Sequence, residues 1–167
     1  MRMLIHDLND QEIKELIPQM GEDLTVISND HEIHKCIGCF GCWIKTPVAC
    51  IINDAYKGMG KLISQCEEVI IISQCYYGGF SPFVKNVLDR SIGYMLPYFV
   101  IRNGEMHHES RYSERLKLTA HFYGEDITPE ERNIAAKLVV ANGLNFNSKE
   151  HTVHFYDTLQ NMRGEIL

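Results

Sequence analysis

The sequence predicts an α/β fold, a parallel sheet with helices on both faces. Three observations carry this. Val69-Ile70-Ile71-Ile72 is apolar without alternation, as in a strand buried on both sides. Short β-branched runs alternate along the chain with segments of helical periodicity. Two of those segments open on a hydroxyl N-cap followed by proline, Ser81-Pro82 and Thr128-Pro129. With 167 residues, 45% hydrophobic and 23% charged, the chain is expected to form one domain over 1–167.

Met3 to Ile5 reads as the first strand. Asn9 with Glu12 makes a capping box for a short helix with Ile13, Leu16 and Ile17 on one face, ended by Pro18 and Gly21. Leu24 to Ile27 is the second strand, closed by Ser28, Asn29 and Asp30. After a long loop, Asp54 reads as the cap of a helix from Ala55 to Cys66, with Met59, Leu62, Ile63 and Cys66 at helical spacing. The third strand, Val69 to Ile72, leads through SQCYYGGFSP to a helix whose buried face is Phe83, Val87, Leu88 and Ile92. Pro97 to Ser110 reads as irregular, with a turn at Asn103-Gly104. Leu116 to Phe122 is the fourth strand. Thr128 to Glu131 is a capping box for a helix carrying Ile134, Ala135, Leu138 and Val139 and stopping near Asn142-Gly143. Val153 to Tyr156 reads as a fifth strand, and the last eleven residues as a short helix. Such sheets bind ligands outside the carboxyl ends of their strands, so the loops there are where a site is expected.

The formal net charge of −6 disfavours nucleic acid and anionic membranes as partners. No apolar run is long enough to span a bilayer, and MRMLIHDLND lacks the apolar core of a signal peptide. A cytoplasmic location with reduced thiols is therefore expected. The six cysteines then read as thiols or metal ligands rather than disulfides.

Four of them fall in KCIGCFGCWIKTPVAC: Cys36, Cys39, Cys42 and Cys50, spaced C-x2-C-x2-C-x7-C. Gly38 and Gly41 between them permit tight bends. Phe40 and Trp43 add large apolar surfaces. The stretch is the loop after the second strand. The loop after the third offers two tyrosines and two glycines at a strand end, which suits either a flat aromatic ligand or a tight strand-to-helix turn.

Together, KCIGCFGCWIKTPVACIINDAYKGM and VIIISQCYYGGFSPFVKNVLDRSIGYM resemble the flavodoxin-like NADPH-dependent FMN reductase family, including a helix ending in Leu88-Asp89-Arg90. The resemblance covers roughly residues 1–145. It implies a flavodoxin-like three-layer sandwich, with a five-stranded parallel sheet of order 2-1-3-4-5, and usually a homodimer. It also implies FMN at the strand ends, reduced by NAD(P)H that docks transiently and passing electrons to a small-molecule or protein acceptor. Gln74, Tyr76, Tyr77, Gly78 and Gly79 would touch the ring, with the loop from His121 to Glu125, including Tyr123 and Gly124, approaching its other side.

Two features depart from that family. Its phosphate loop is Gly/Ser/Thr/Asn-rich and ends at a helix N-terminus. Here it has shrunk to His6-Asp7-Leu8-Asn9-Asp10, whose carboxylates would repel a phosphate. Gln74 stands where proline is common. A non-catalytic module that has lost FMN is therefore an alternative.

The cysteine spacing is similar to that of iron–sulfur flavoproteins, where such a motif holds a [4Fe–4S] cluster. Cys36, Cys39, Cys42 and Cys50 supply the four thiolates a cluster needs, and an iron–sulfur electron carrier is a further alternative. Packing thiols and a redox thiol at Cys36 beside Lys35 are the competing readings. His107-His108 reads as a solvated or partner-facing pair, since adjacent histidines rarely share a metal. Cys66 and Cys75 read as core. Tyr94, Tyr98 and Phe99 read as core or partner surface. No Ser/His/Asp constellation and no G-x-G-x-x-G stands out, and no catalytic acid or base is implied.

Overall fold

Strand β1, Arg2–His6, runs through a parallel sheet, and its alternating side chains feed two separate cores. The computed structural model describes residues 1–113 and 115–166. In it β1 lies between β2, Leu24–Ile27, and β3, Glu68–Gln74. A hairpin of β4, Met95–Arg102, and β5, Glu105–Ser110, stands outside the sheet. Strands β6, Lys117–Tyr123, and β7, Glu150–Tyr156, complete it in the order β2-β1-β3-β6-β7. This is the expected 2-1-3-4-5 topology, with β6 and β7 as its fourth and fifth strands.

Leu4, Ile70 and Ile72 pack with Ile13 and Leu16 of α1, Asp10–Leu16, with Ile17 just past its end, and with Met162 from a short 3₁₀ turn, Leu159–Met162. The opposite face carries Met3, Ile5, Val69, Ile71, Leu118, Ala120 and Phe122. These pack on residues of α3, Met59–Ser64, α4, Pro82–Arg90, and α5, Pro129–Asn145. The remaining helix, α2, is the four-residue Gly41–Ile44 inside the cysteine stretch. The capping boxes at Asn9/Glu12 and Thr128/Glu131 form as expected, and Ser81 caps α4.

Three expectations are corrected. The helix expected from Ala55 begins only at Met59. Asp54 does not cap it, because its carboxylate is taken by Arg90 of α4 and by the amides of His34 and Tyr56. The segment 97–110 is not irregular: it belongs to the β4–β5 hairpin. Asn103 and Gly104 both have positive φ, +52° and +84°, as a two-residue hairpin turn requires. Its strands escaped the period-two reading because Tyr98, Phe99, Ile101 and Met106 are apolar yet exposed. Helix α5 passes through Gly143 to Asn145. That glycine serves close packing, since a Cβ there would meet the His151 ring at 2.9 Å.

Candidate functional site

Two candidate sites stand out, one against helix α4 and one at the carboxyl ends of the strands. The first is the cysteine stretch. Cys36, Cys39, Cys42 and Cys50 line one small cavity, shared with Phe40, Ile52, Asp89, Arg90 and Ile92. Cys36 and Cys39 are exposed, and Cys42 and Cys50 are buried. Burial, and then the neighbouring Cys50, pushes the Cys42 thiol up, with Cys36 and Cys39 adding to the shift. The chain reaches this arrangement through positive φ at Gly38 (+63°) and Phe40 (+56°), which turn it into α2. Among the described residues no three His, Cys, Asp or Glu side chains are placed to hold one metal ion. A cubane cluster binds each thiolate on a separate iron, so it needs four sulfurs around one cavity rather than around one ion. The donor set here has that chemistry.

Helix α4 holds the stretch in place. The Cys36 amide donates to Asn86 Oδ1 at 3.1 Å, and Arg90 Nε donates to Cys50 Sγ at 3.1 Å. Arg90 is fully buried and forms a two-pronged ion pair with Asp54, at 2.7 and 2.8 Å. Those hydrogen bonds are the first cause holding the Asp54 carboxyl well below the usual carboxylate range. Asp54 and the guanidinium's contact with sulfur were missed in the sequence. The Leu88-Asp89-Arg90 run was the available signal. On the outer side, Trp43 stacks on Phe40 and donates Nε1–H to Met95 O at 2.9 Å. His108 lies between Trp43 and Phe99, which ties the hairpin to the cysteine stretch. His107 is buried and its ring nitrogens meet Asn145 and Glu105, so the two histidines face different partners. Tyr94 is core, while Tyr98 and Phe99 are exposed.

The second site is a cleft of about 610 Å³ at the ends of β3, β6 and β7. Gln74, Tyr123 and Gly124 line it, three of the seven residues expected at a ring. Cys75 lines it too; it is half-buried and packs at the margin of the core. Tyr76, Tyr77, Gly78 and Gly79 form a two-residue turn outside that lining, closed by amide bonds of 2.9 and 2.7 Å between Tyr76 and Gly79. Tyr77 is 88% exposed. Gly78, at φ +81°, presses on α5, where a Cβ would meet the Ile134 side chain at 2.7 Å.

The loop after β1 offers no phosphate seat. Asn9 Oδ1 already accepts the Gln11 and Glu12 amides at the start of α1, and Glu12 takes the Asn9 amide. Asp7 accepts the Gln74 amide at 2.9 Å and the Tyr123 hydroxyl at 3.1 Å. Six carboxylates, from Glu12, Glu15, Glu125, Asp126, Glu131 and Asp157, line the cleft against the single guanidinium of Arg163. A cleft of about 610 Å³ has room for a small ligand, but a phosphate dianion at the β1 loop would meet these carboxylates.

Below the cleft, the strand register puts His6, Ile72, His121 and His154 in one row on the α1 face. His121 stacks on His154 at 5.0 Å and meets the Tyr156 hydroxyl at 3.1 Å. Its Nε2 and the Nδ1 of His6 are buried without a protein partner.

No protein family profile matches the chain. An iron–sulfur flavoprotein of Archaeoglobus fulgidus is 29% identical over 92 residues, 54% of this chain and 44% of that protein. One of Methanocaldococcus jannaschii is 35% identical over 71 residues, 40% of this chain and 36% of that protein. The matched stretch thus spans less than half of either relative. Among solved structures, general stress protein 14 of Treponema denticola, in complex with FMN, superposes with a TM-score of 0.57. It covers 96% of this chain and 90% of its own, at 12% identity. An FMN-dependent NADH-azoreductase of Bacillus anthracis, also with FMN, gives 0.54, covering 98% and 94% at 11% identity. At such identities the likeness is one of fold. The fold is flavodoxin-like. No helix among the described residues is long and apolar enough to cross a membrane.

Proposed function

We propose that this chain is a flavin-linked redox protein of the iron–sulfur flavoprotein kind. Cys36, Cys39, Cys42 and Cys50 hold a [4Fe–4S] cluster, and a flavin ring occupies the strand-end cleft. The observation that carries the reading is that four thiols spread from position 36 to 50 line one cavity. The two curated relatives, both named iron–sulfur flavoproteins, support it.

When bound, the flavin supplies two-electron hydride chemistry and the cluster one-electron transfer. The chain's own residues do the rest. Gln74, Tyr123 and Gly124 border the ring and orient it. The Tyr76-Tyr77 turn stands beside the cleft mouth, where it limits water access. Asp7 sets the spacing of the β3 and β6 loops. Cys42 and Cys50, both buried, anchor the cluster, while exposed Cys36 and Cys39 leave it reachable by a partner. NAD(P)H or a protein serves as donor and a small molecule or protein as acceptor, in a homodimer.

A second reading keeps the flavin and drops the cluster: an NAD(P)H-dependent FMN reductase with packing thiols. It is favoured by the burial of Cys42 and Cys50, which suits small apolar packing residues.

The test is an absorbance spectrum of anaerobically purified protein before and after adding flavin, with iron and acid-labile sulfide assayed. A brown, sulfide-containing protein that takes up flavin is expected. A yellow protein without sulfide selects the second reading. A colourless protein that takes up neither sinks both and leaves a non-catalytic module.

A further inference from the structure

We propose that Arg90 is the positioning residue of the cysteine site. It fixes the Cys50 sulfur and, through an N–H···S bond, raises the reduction potential of the cluster that the four thiolates hold. This rests on the cluster reading given above.

A guanidinium carries five N–H donors in a rigid fork. Arg90 uses all five. Nε donates to Cys50 Sγ at 3.1 Å. Nη1 donates to His34 O and Asp54 Oδ2, both at 2.7 Å. Nη2 donates to Ile52 O at 3.3 Å and Asp54 Oδ1 at 2.8 Å. These partners lie on both sides of the cysteine stretch. His34 precedes Cys36, while Ile52 and Asp54 follow Cys50. Asn86, one turn earlier on α4, takes the Cys36 amide and donates to His34 O. One helix therefore clasps both ends of the loop that carries the four thiols.

A purely structural ion pair would need only the fork to Asp54. Here the remaining edge of the guanidinium is directed at a cavity-lining sulfur. Asp54 neutralises the cation, so what reaches the cavity is a directional donor rather than a free charge. A donor on a ligating sulfur draws electron density from it and stabilises the more negative, reduced state. Lysine keeps the charge but cannot hold the fork to Asp54 and the bond to sulfur together.

The experiment uses full-length wild-type protein and R90K, both reconstituted anaerobically with ferrous iron and sulfide. Iron and sulfide are assayed, and each sample is titrated potentiometrically with EPR detection. R90K is expected to carry wild-type amounts of iron and sulfide and to titrate at a lower potential. An unchanged potential at full loading overturns the proposal. Where R90K fails to fold or load, wild-type protein labelled with ¹⁵N-arginine decides. Pulsed EPR of its reduced cluster should show hyperfine coupling to one arginine nitrogen, and absence of that coupling overturns the proposal. Wild-type protein that takes up no iron or sulfide overturns the cluster reading itself, and the iron assay separates that failure from a failure of Arg90 alone.

Discussion

The Tyr123 hydroxyl donates to Asp7 Oδ1 at 3.1 Å, joining residues 116 positions apart. The other Asp7 oxygen takes the Gln74 amide at 2.9 Å. One carboxylate thus ties together the ends of β1, β3 and β6, where the FMN reductase family that the sequence resembles is expected to seat a phosphate.

Riboflavin should consequently bind at least as tightly as FMN. The phosphate of FMN gains no free amide at α1 and meets Asp7, Asp10 and the carboxylates of the cleft. Fluorescence-quenching titrations of both flavins measure this directly. FMN binding tenfold tighter, about 1.4 kcal/mol, would show that the phosphate has a seat elsewhere. Asp7→Asn should narrow the difference by removing one charge.

Arg90→Ala should destabilise the fold by about 3–5 kcal/mol, because it leaves the Asp54 carboxylate buried without its cation. Urea unfolding followed through Trp43 reads this loss. The double variant Arg90→Ala with Asp54→Ala should recover part of it. Asp54 also carries a pH dependence. Its folded pKa is depressed, so its contribution is fully present above the unfolded value of about 4 and is lost as pH falls below it. Asp54→Asn should flatten the acid limb of the stability profile.

His121 governs a higher window. Burial, and then the charge of His154, lowers its pKa to about 4. The unfolded chain takes up that proton near pH 6.5, so it binds more protons than the folded chain between these values. The contribution is complete above pH 6.5 and fades as pH falls toward 4, on the order of 3 kcal/mol in all. His6, also lowered by burial, acts in the same direction. Replacing His121 with Phe should flatten the slope of unfolding free energy between pH 4 and 6.5.

Alkylation of the metal-free protein should resolve the thiols into classes. Exposed Cys36 and Cys39 should react first, with half-buried Cys75 next. Cys66 should react last, since it is buried and its thiol is pushed up to about 11. Mass spectrometry after brief iodoacetamide pulses at pH 8 gives the order. Rapid labelling of Cys66 would contradict its placement in the core.

Much of the fold was readable in the chain because its signals are local. The capping boxes at Asn9 and Thr128, the Ser81-Pro82 helix start and the unbroken Val69–Ile72 run each act within a few residues, and each stands in the structure as expected. The β4–β5 hairpin was missed because its strands face outward with apolar side chains, which removes the alternation that marks a half-buried strand. Asp54 misled for a different reason. An aspartate before a periodic segment is a cap only when no stronger partner claims it, and Arg90 does.

The candidate site divides along the same line. Cysteine spacing alone marked which thiols belong together, since C-x2-C-x2-C keeps three of them within one tight loop. The spacing could not show that Arg90 reaches Cys50 across 40 positions or that Tyr123 reaches Asp7 across 116. Capping and periodicity are written in backbone hydrogen bonds between near neighbours. The Arg90–Cys50 contact exists only because α4 packs against the loop after β2, where the buried Arg90 must find partners or remain uncompensated, and the Tyr123–Asp7 contact because the parallel sheet brings the ends of β1 and β6 to one edge.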